Sequence, residues 1–339
     1  MKFYLQVSLI ICCLLVSCQP KTNQTNTMDE NADAIGQVIR LDDRINEVIK
    51  PGAYIEKIAE GYQWTEGPLW IEDGNYLLFS EIPTNTIYKW TEESGAEVYI
   101  TPSGYTGTVP RTGESGSNGL ILDGQGRLVL CQHGDRRMAR MDSSLDKPKA
   151  SFATIVGQFK GKRFNSPNDA IYDSKGNLYF TDPPYGLELN DKDPKKEIDF
   201  QGVYRLSNKG ALTLLTDEMS RPNGLALSPD EQTLYIANSD PNKAIWNAYD
   251  INERGEISNE RVFYDVTGKP GKGLPDGMKI HPNGTIFATA AGGVWVFTPE
   301  GEVLGRIDSG EATSNCAFNS DYSILYMTCD DYVMRIKLI

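Results

Sequence analysis

Histidine is nearly missing from this 339-residue chain, which has only two, His133 and His281. A nitrogen-rich metal site therefore has almost nothing to draw on. Of six cysteines, three (Cys12, Cys13 and Cys18) fall in the first eighteen residues, leaving Cys131, Cys316 and Cys329. No two are spaced C-x-x-C, so neither a disulfide framework nor a thiolate zinc site is indicated. One bridge is left open, with Cys316–Cys329 as the pair. The formal net charge is −13, and no dense Lys/Arg cluster interrupts it, which sets nucleic acid aside as a partner. No G-x-S-x-G occurs, so a serine nucleophile is not favoured. Beyond the N-terminus no stretch has a helical apolar period.

The one long apolar run, in "MKFYLQVSLIICCLLVSC", is too short to span a bilayer as a stable helix. Its end, Leu15-Val16-Ser17-Cys18, resembles a bacterial lipoprotein signal. The expectation is a signal peptide over 1–17 and a lipid on the Cys18 thiol, holding the chain at the cell envelope, facing the periplasm or the outer surface. That lipid is the only membrane contact expected. Residues 18–50 begin polar and aperiodic and read as a flexible tether. The folded domain is placed at 51–339.

Glycine (32), proline (18) and tyrosine (17) are plentiful, the composition of short strands and tight turns. One phrase recurs. Its first strand is "EGPLW" at 66, "NGLIL" at 118, "NDAIY" at 168, "NGLAL" at 223, "DGMKI" at 276 and "NCAFN" at 315. A turn such as "DGQG" or "HPNG" follows, then a second strand such as "RLVLCQ" or "TLYIAN", and a third such as "GVYRLS". A fourth strand follows five copies, but the chain ends after the sixth. The unassigned segment "AYIEKIAEG" (53–61) precedes the first copy and can supply the missing strand. Six four-stranded blades closed by an N-terminal strand make a six-bladed β-propeller.

In such a ring the leading residue of each first strand reaches one mouth of the central channel. Those residues are Glu66, Asn118, Asn168, Asn223, Asp276 and Asn315, all oxygen-bearing. Asn and Asp before Gly are ordinary turn residues, but turn chemistry has no use for Glu66. Carboxylates and amide carbonyls without Cys or His describe a hard-cation site, Ca²⁺ foremost, with Zn²⁺, Mg²⁺ or Mn²⁺ as other occupants. Long loops at 101–117, 156–167, 183–200 and 267–275 would wall a small-molecule pocket above it. His133, in "CQHGDRR", lies at the same mouth, and either substrate contact or proton transfer is open to it. Asp276 is the general-base candidate.

"TEGPLW", "SNGLILDGQGRLVLCQHGDRR", "RFNSPNDAIYDSKGNLYFTDPPYG", "RPNGLALSPDEQTLYIANS" and "LPDGMKIHPNGTIFATAAGGVWVF" resemble the bacterial gluconolactonases. These belong to the superfamily of senescence marker protein/regucalcin and diisopropylfluorophosphatase. The resemblance runs from about residue 55 to the C-terminus. It implies one divalent cation in the channel and hydrolysis of a sugar lactone. By motif it implies Glu66, Asn223 and Asp276 as metal ligands, and Asn168 as a ligand or a holder of a metal-bound water. Arg163 and Asn165 fall near a substrate-contacting Arg, offset by an inserted "SP". Asn118, His133, Arg163, Asn165 and Tyr185 are the expected substrate contacts. The alternative reading is a non-catalytic propeller binding sugar or protein through the same pocket. Oligomeric state is left open.

Overall fold

Each copy of the phrase folds into one antiparallel sheet, and its strands pair in sequence order. The structure, a computed structural model, describes residues 34–339; the signal peptide, Cys18 and the tether up to residue 33 lie outside the described residues. Blade 1 comprises Thr65–Ile71, Tyr76–Glu81, Thr86–Thr91 and Gly95–Ile100. Blades 2, 3 and 4 repeat this order, opening on Ser117–Leu122, Ala170–Tyr172 and Pro222–Leu227. Blades 5 and 6 open on Met278–Ile280 and Thr313–Phe318.

The core is divided in the same way. Six clusters of buried apolar side chains lie between neighbouring blades, one for each of the six junctions, among the described residues. This explains why second strands such as Leu128–Gln132 and Ile286–Ala290 are largely apolar and buried at every residue. They lie between two blades and have no wet face. Outer strands such as Ile257–Asp265 are mostly exposed and carry charge.

The ring closes as the repeat count requires. Ile55–Glu60 pairs antiparallel with Tyr332–Lys337, with Tyr332 opposite Glu60 and Ile336 opposite Ile55. Packing seals the same joint, where the Trp70 ring of blade 1 stacks on Tyr326 of blade 6, centroids 5.1 Å apart.

The tether boundary needs correction. Within residues 34–50, expected to be flexible, Ala34–Ile35 joins the outer edge of Ile55–Glu60 and Gln37–Arg40 joins the outer strand of blade 5. A 3₁₀ turn, Asp43–Glu47, follows, capped by Asp42, whose carboxylate accepts from the Arg44 N–H at 2.9 Å. Ile45, Val48 and Ile49 then fill the junction of blades 5 and 6. The reason lies in "QVIRLDDRINEVIK", whose apolar residues are too many for a solvated linker and whose first strand covers the otherwise bare edge of blade 5. Ile45→Ala should lower stability by about 2–5 kcal/mol, read as a shifted denaturant midpoint. An unchanged midpoint would return this segment to tether status.

The cysteine pairing left open is not made. Cys131, Cys316 and Cys329 are all buried free thiols. Cys316 sits opposite Met327 and Cys329 opposite Thr313, so strand register keeps the last two apart.

Candidate active site

The recurring Asn/Asp-Gly marks a break in each first strand. In blades 1, 2, 4 and 6 the register with the second strand slips just where the ring residue sits: between Glu66 and Leu69, Ser117 and Leu120, Pro222 and Leu225, and Thr313 and Asn315. In blades 3 and 5 regular pairing begins only after Asn168 and Asp276. Such bulges re-aim a side chain, and here the side chain turns into the channel.

The glycine that follows has its own reason. A Cβ on Gly67 would stand 2.1 Å from the Asn118 carbonyl oxygen, and one on Gly224 would stand 2.2 Å from that of Asp276. The backbones of Asn118, Asn168 and Asp276 are each seated against the previous blade's glycine, which leaves no room for a side chain there. Blades 3 and 6 depart from this pattern, with Asp169 and Cys316 in the glycine's place, and Asp169 is a further carboxylate beside the floor. Its carboxylate accepts from the Ala170 N–H at 2.8 Å and lies 3.4 Å from Asn315 Nδ2.

Above the ring is a cavity of about 340 Å³. Glu66, Asn118, Asn168, Asn223 and Asp276 form its floor. Its walls include Glu114, Tyr185 and Leu274 from three of the four long loops, together with Trp64 and Ser239. The fourth loop instead folds into a small hairpin, Gln158–Phe159 with Lys162–Arg163.

The floor is polar and under-satisfied. Asn118 Oδ1, Asn223 Oδ1 and Asp276 Oδ1 are buried and have no hydrogen-bond partner. Asn223 Nδ2 donates to Ser239 Oγ at 3.1 Å, and Ser239 donates to the Pro275 carbonyl, which leaves the Asn223 oxygen as its free end. Each buried unpaired acceptor costs about 1–3 kcal/mol unless something meets it. Asn315 differs, since its Oδ1 accepts from the Cys316 N–H at 2.9 Å and its Nδ2 is 3.3 Å from Glu66 Oε2. It braces the floor and does not line the cavity.

Burial pushes the Glu66 carboxyl up to about 8, and the nearby Asp169 and Glu114 add to the rise, while the Gly67 N–H and Asn315 oppose it. Burial also drives Asp276 well above the ordinary carboxylate range, reinforced by Glu66, Asp169 and Glu114. Confining carboxylates in one dry channel disfavours their charged forms. A divalent cation among them reverses that preference.

Several residues named from sequence do not reach the cavity. Arg163 is exposed, its guanidinium donating to the Asp135 carbonyl at 3.0 Å. Asn165 is wholly buried and holds loops together, its Nδ2 donating to the carbonyls of Phe200 at 2.8 Å and Asp182 at 3.1 Å. The inserted Ser166-Pro167 separates both from Asn168. His133 is also fully buried, behind the wall, with Nδ1 3.1 Å from Glu114 Oε2. Glu114, Ser239 and Asp169 were missed. Only Asp169 had left a signal, an Asp where the repeat has Gly.

The fold and site define a six-bladed propeller with an oxygen-lined small-molecule cavity at one mouth of its channel. This chain belongs to the SMP-30/Gluconolactonase/LRE-like family, whose model matches residues 64–330. It is similar to the gluconolactonase of Zymomonas mobilis, 39% identical over 91% of this chain and 87% of that one. It is also similar to the pentonolactonase XacC of Haloferax volcanii, 28% identical over 78% of this chain and 80% of its relative. Among solved structures, a gluconolactonase from Xanthomonas campestris superposes with a TM-score of 0.77 at 29% identity, covering 90% of this chain and 97% of that one.

Proposed function

We propose that this protein opens sugar lactones by adding water to the ring ester, with a divalent cation at the floor of the channel. The chain is a lactonase-type hydrolase by its family, and lactonases are its relatives along most of their length. The observation that carries the site reading is the three orphaned oxygens of Asn118, Asn223 and Asp276 beside the buried Glu66 carboxylate.

Those oxygens fit a hard cation. Among the described residues no three His, Cys, Asp or Glu side chains gather to hold a metal, so amides must complete any donor set here. Glu66, Asn168, Asn223 and Asp276 would hold the ion, with Ca²⁺ the best match to such oxygens. When bound, it polarises an ester carbonyl. Asp276 would accept a proton from the attacking water, because the cation favours the ionised carboxylate against the burial that raises it in the metal-free protein. Asn118 and Tyr185 line the wall where sugar hydroxyls would lie, and Trp64 and Leu274 bound the same cavity. A lipid on Cys18 would place this chemistry at the bacterial envelope, on sugars outside the cytoplasm.

Metal-stripped protein should fail to hydrolyse a panel of aldonolactones, and restoring Ca²⁺ should recover turnover. Full turnover after stripping would remove the cation from the reading. No turnover under either condition would favour the binding propeller.

A further inference from the structure

Lactone opening needs an acid as well as a base, because the departing ring oxygen leaves as an alkoxide. We propose that Glu114, backed by the buried imidazole of His133, is the group that protonates it. This rests on the lactone-hydrolase reading.

Glu114 is the one carboxylate on the cavity wall that does not belong to the channel floor. The other wall groups with a proton to give are poorer acids. Ser239 spends its hydroxyl on the Pro275 carbonyl. Burial raises the Tyr185 phenol, and Asp276 raises it further.

The loop carrying Glu114 is pinned on both sides. Arg111 donates to the carbonyls of Gly134, at 2.9 Å, and Gly186. The Thr112 N–H donates to Glu188 Oε1 at 3.0 Å, and the Gly116 N–H donates to the Ile82 carbonyl at 2.9 Å. A carboxyl held between such anchors has a fixed address above the floor. Behind it, His133 is 0% exposed, with Nδ1 3.1 Å from Glu114 Oε2 but off the hydrogen-bond axis. Nε2 has no hydrogen-bond partner. The imidazole's nearest recorded charged group is the carboxyl on the cavity wall. His133 is a positioning residue, and Glu114 is the catalytic one.

The step balances. Water oxygen bonds to the carbonyl carbon as Asp276 takes its proton. The bond from that carbon to the ring oxygen breaks, and the electron pair stays on the ring oxygen, which takes the Glu114 proton. The product is a hydroxy acid. The proton taken up by Asp276 makes good the one Glu114 gave, passing through solvent, which reaches the Glu114 side chain at 34% exposure.

The test compares leaving groups in the Ca²⁺-loaded full chain. Glucono-1,5-lactone expels an alkoxide, which needs a proton; dihydrocoumarin expels a phenolate, which does not. Glu114→Gln should lower kcat on gluconolactone by at least about 10²-fold with KM retained, and change kcat on dihydrocoumarin by no more than a few fold. His133→Gln should show the same selectivity with a smaller loss. Equal losses on both substrates, or a raised KM with kcat kept on gluconolactone, overturn the assignment. Should the aryl lactone be a poor substrate, the kcat-against-KM split on gluconolactone decides by itself. A wild-type chain inactive on both lactones sinks the hydrolase reading instead, a different failure.

Discussion

Asp276→Asn should leave a protein that still binds its cation but turns over at least about 10²-fold more slowly. Asparagine keeps an oxygen at the position of Asp276 Oδ1, one of the unpartnered atoms at the cavity floor, so metal content should fall only modestly. It cannot accept a proton from water, and losing a general base costs roughly 10²–10⁴-fold. The lower figure corresponds to roughly 2.7 kcal/mol of transition-state stabilisation. Because the loss arises in the chemical step, kcat and kcat/KM should drop together. Measuring metal content beside kcat separates the two roles. A variant that loses the cation in proportion to its activity would make Asp276 a ligand only, and retained turnover would move the base elsewhere.

Glu66 should govern both metal binding and the pH dependence of the metal-free protein. Its carboxyl is 2% exposed and titrates at about 8, against an ordinary value of 4.5. A carboxyl raised in the folded state stabilises the fold while it remains protonated. That contribution is therefore complete below about pH 4.5 and is lost as pH rises through about 8. The metal-free melting temperature should fall across this window, by on the order of 1.4 kcal/mol of stability per pH unit for one such proton. Ca²⁺ needs the ionised form, so its affinity should climb over the same range and reverse the fall. Glu66→Gln should flatten the metal-free slope, with the remainder due to Asp276, and should lower both metal content and activity. Calorimetry of stripped and Ca²⁺-loaded protein from pH 4.5 to 9 reads all of this. Full metal occupancy in Glu66→Gln would show that Glu66 is not a ligand.

The repeat made the architecture legible because a propeller is nearly one-dimensional, each blade packing only on its neighbours. A phrase that recurs six times with five fourth strands leaves one place for Ile55–Glu60, and that is where it pairs. The oxygen-bearing floor was legible for the same reason, since one position in a repeated unit becomes one ring in space. Residues 34–50 were misjudged because the strand that Gln37–Arg40 pairs with, the outer edge of blade 5, lies more than 250 residues away in sequence. Nothing local distinguishes a strand that covers such an edge from a linker.

What the sequence determined by itself was the fold and the chemistry of the channel floor, both products of periodicity. Only the tertiary structure decided which side chains wall the cavity. Loops have no repeat, so adjacency along the chain is a poor guide to them. Arg163 and Asn165 stand beside the floor motif in sequence yet turn away, one to solvent and one into loop carbonyls. Glu114, on a loop with no motif of its own, is carried over the floor by Arg111 and Thr112, whose partners lie more than twenty and more than seventy residues further on. His133 is likewise placed by the fold and not by its motif: it is buried beside Glu114, with Nδ1 3.1 Å from Oε2, and does not line the cavity.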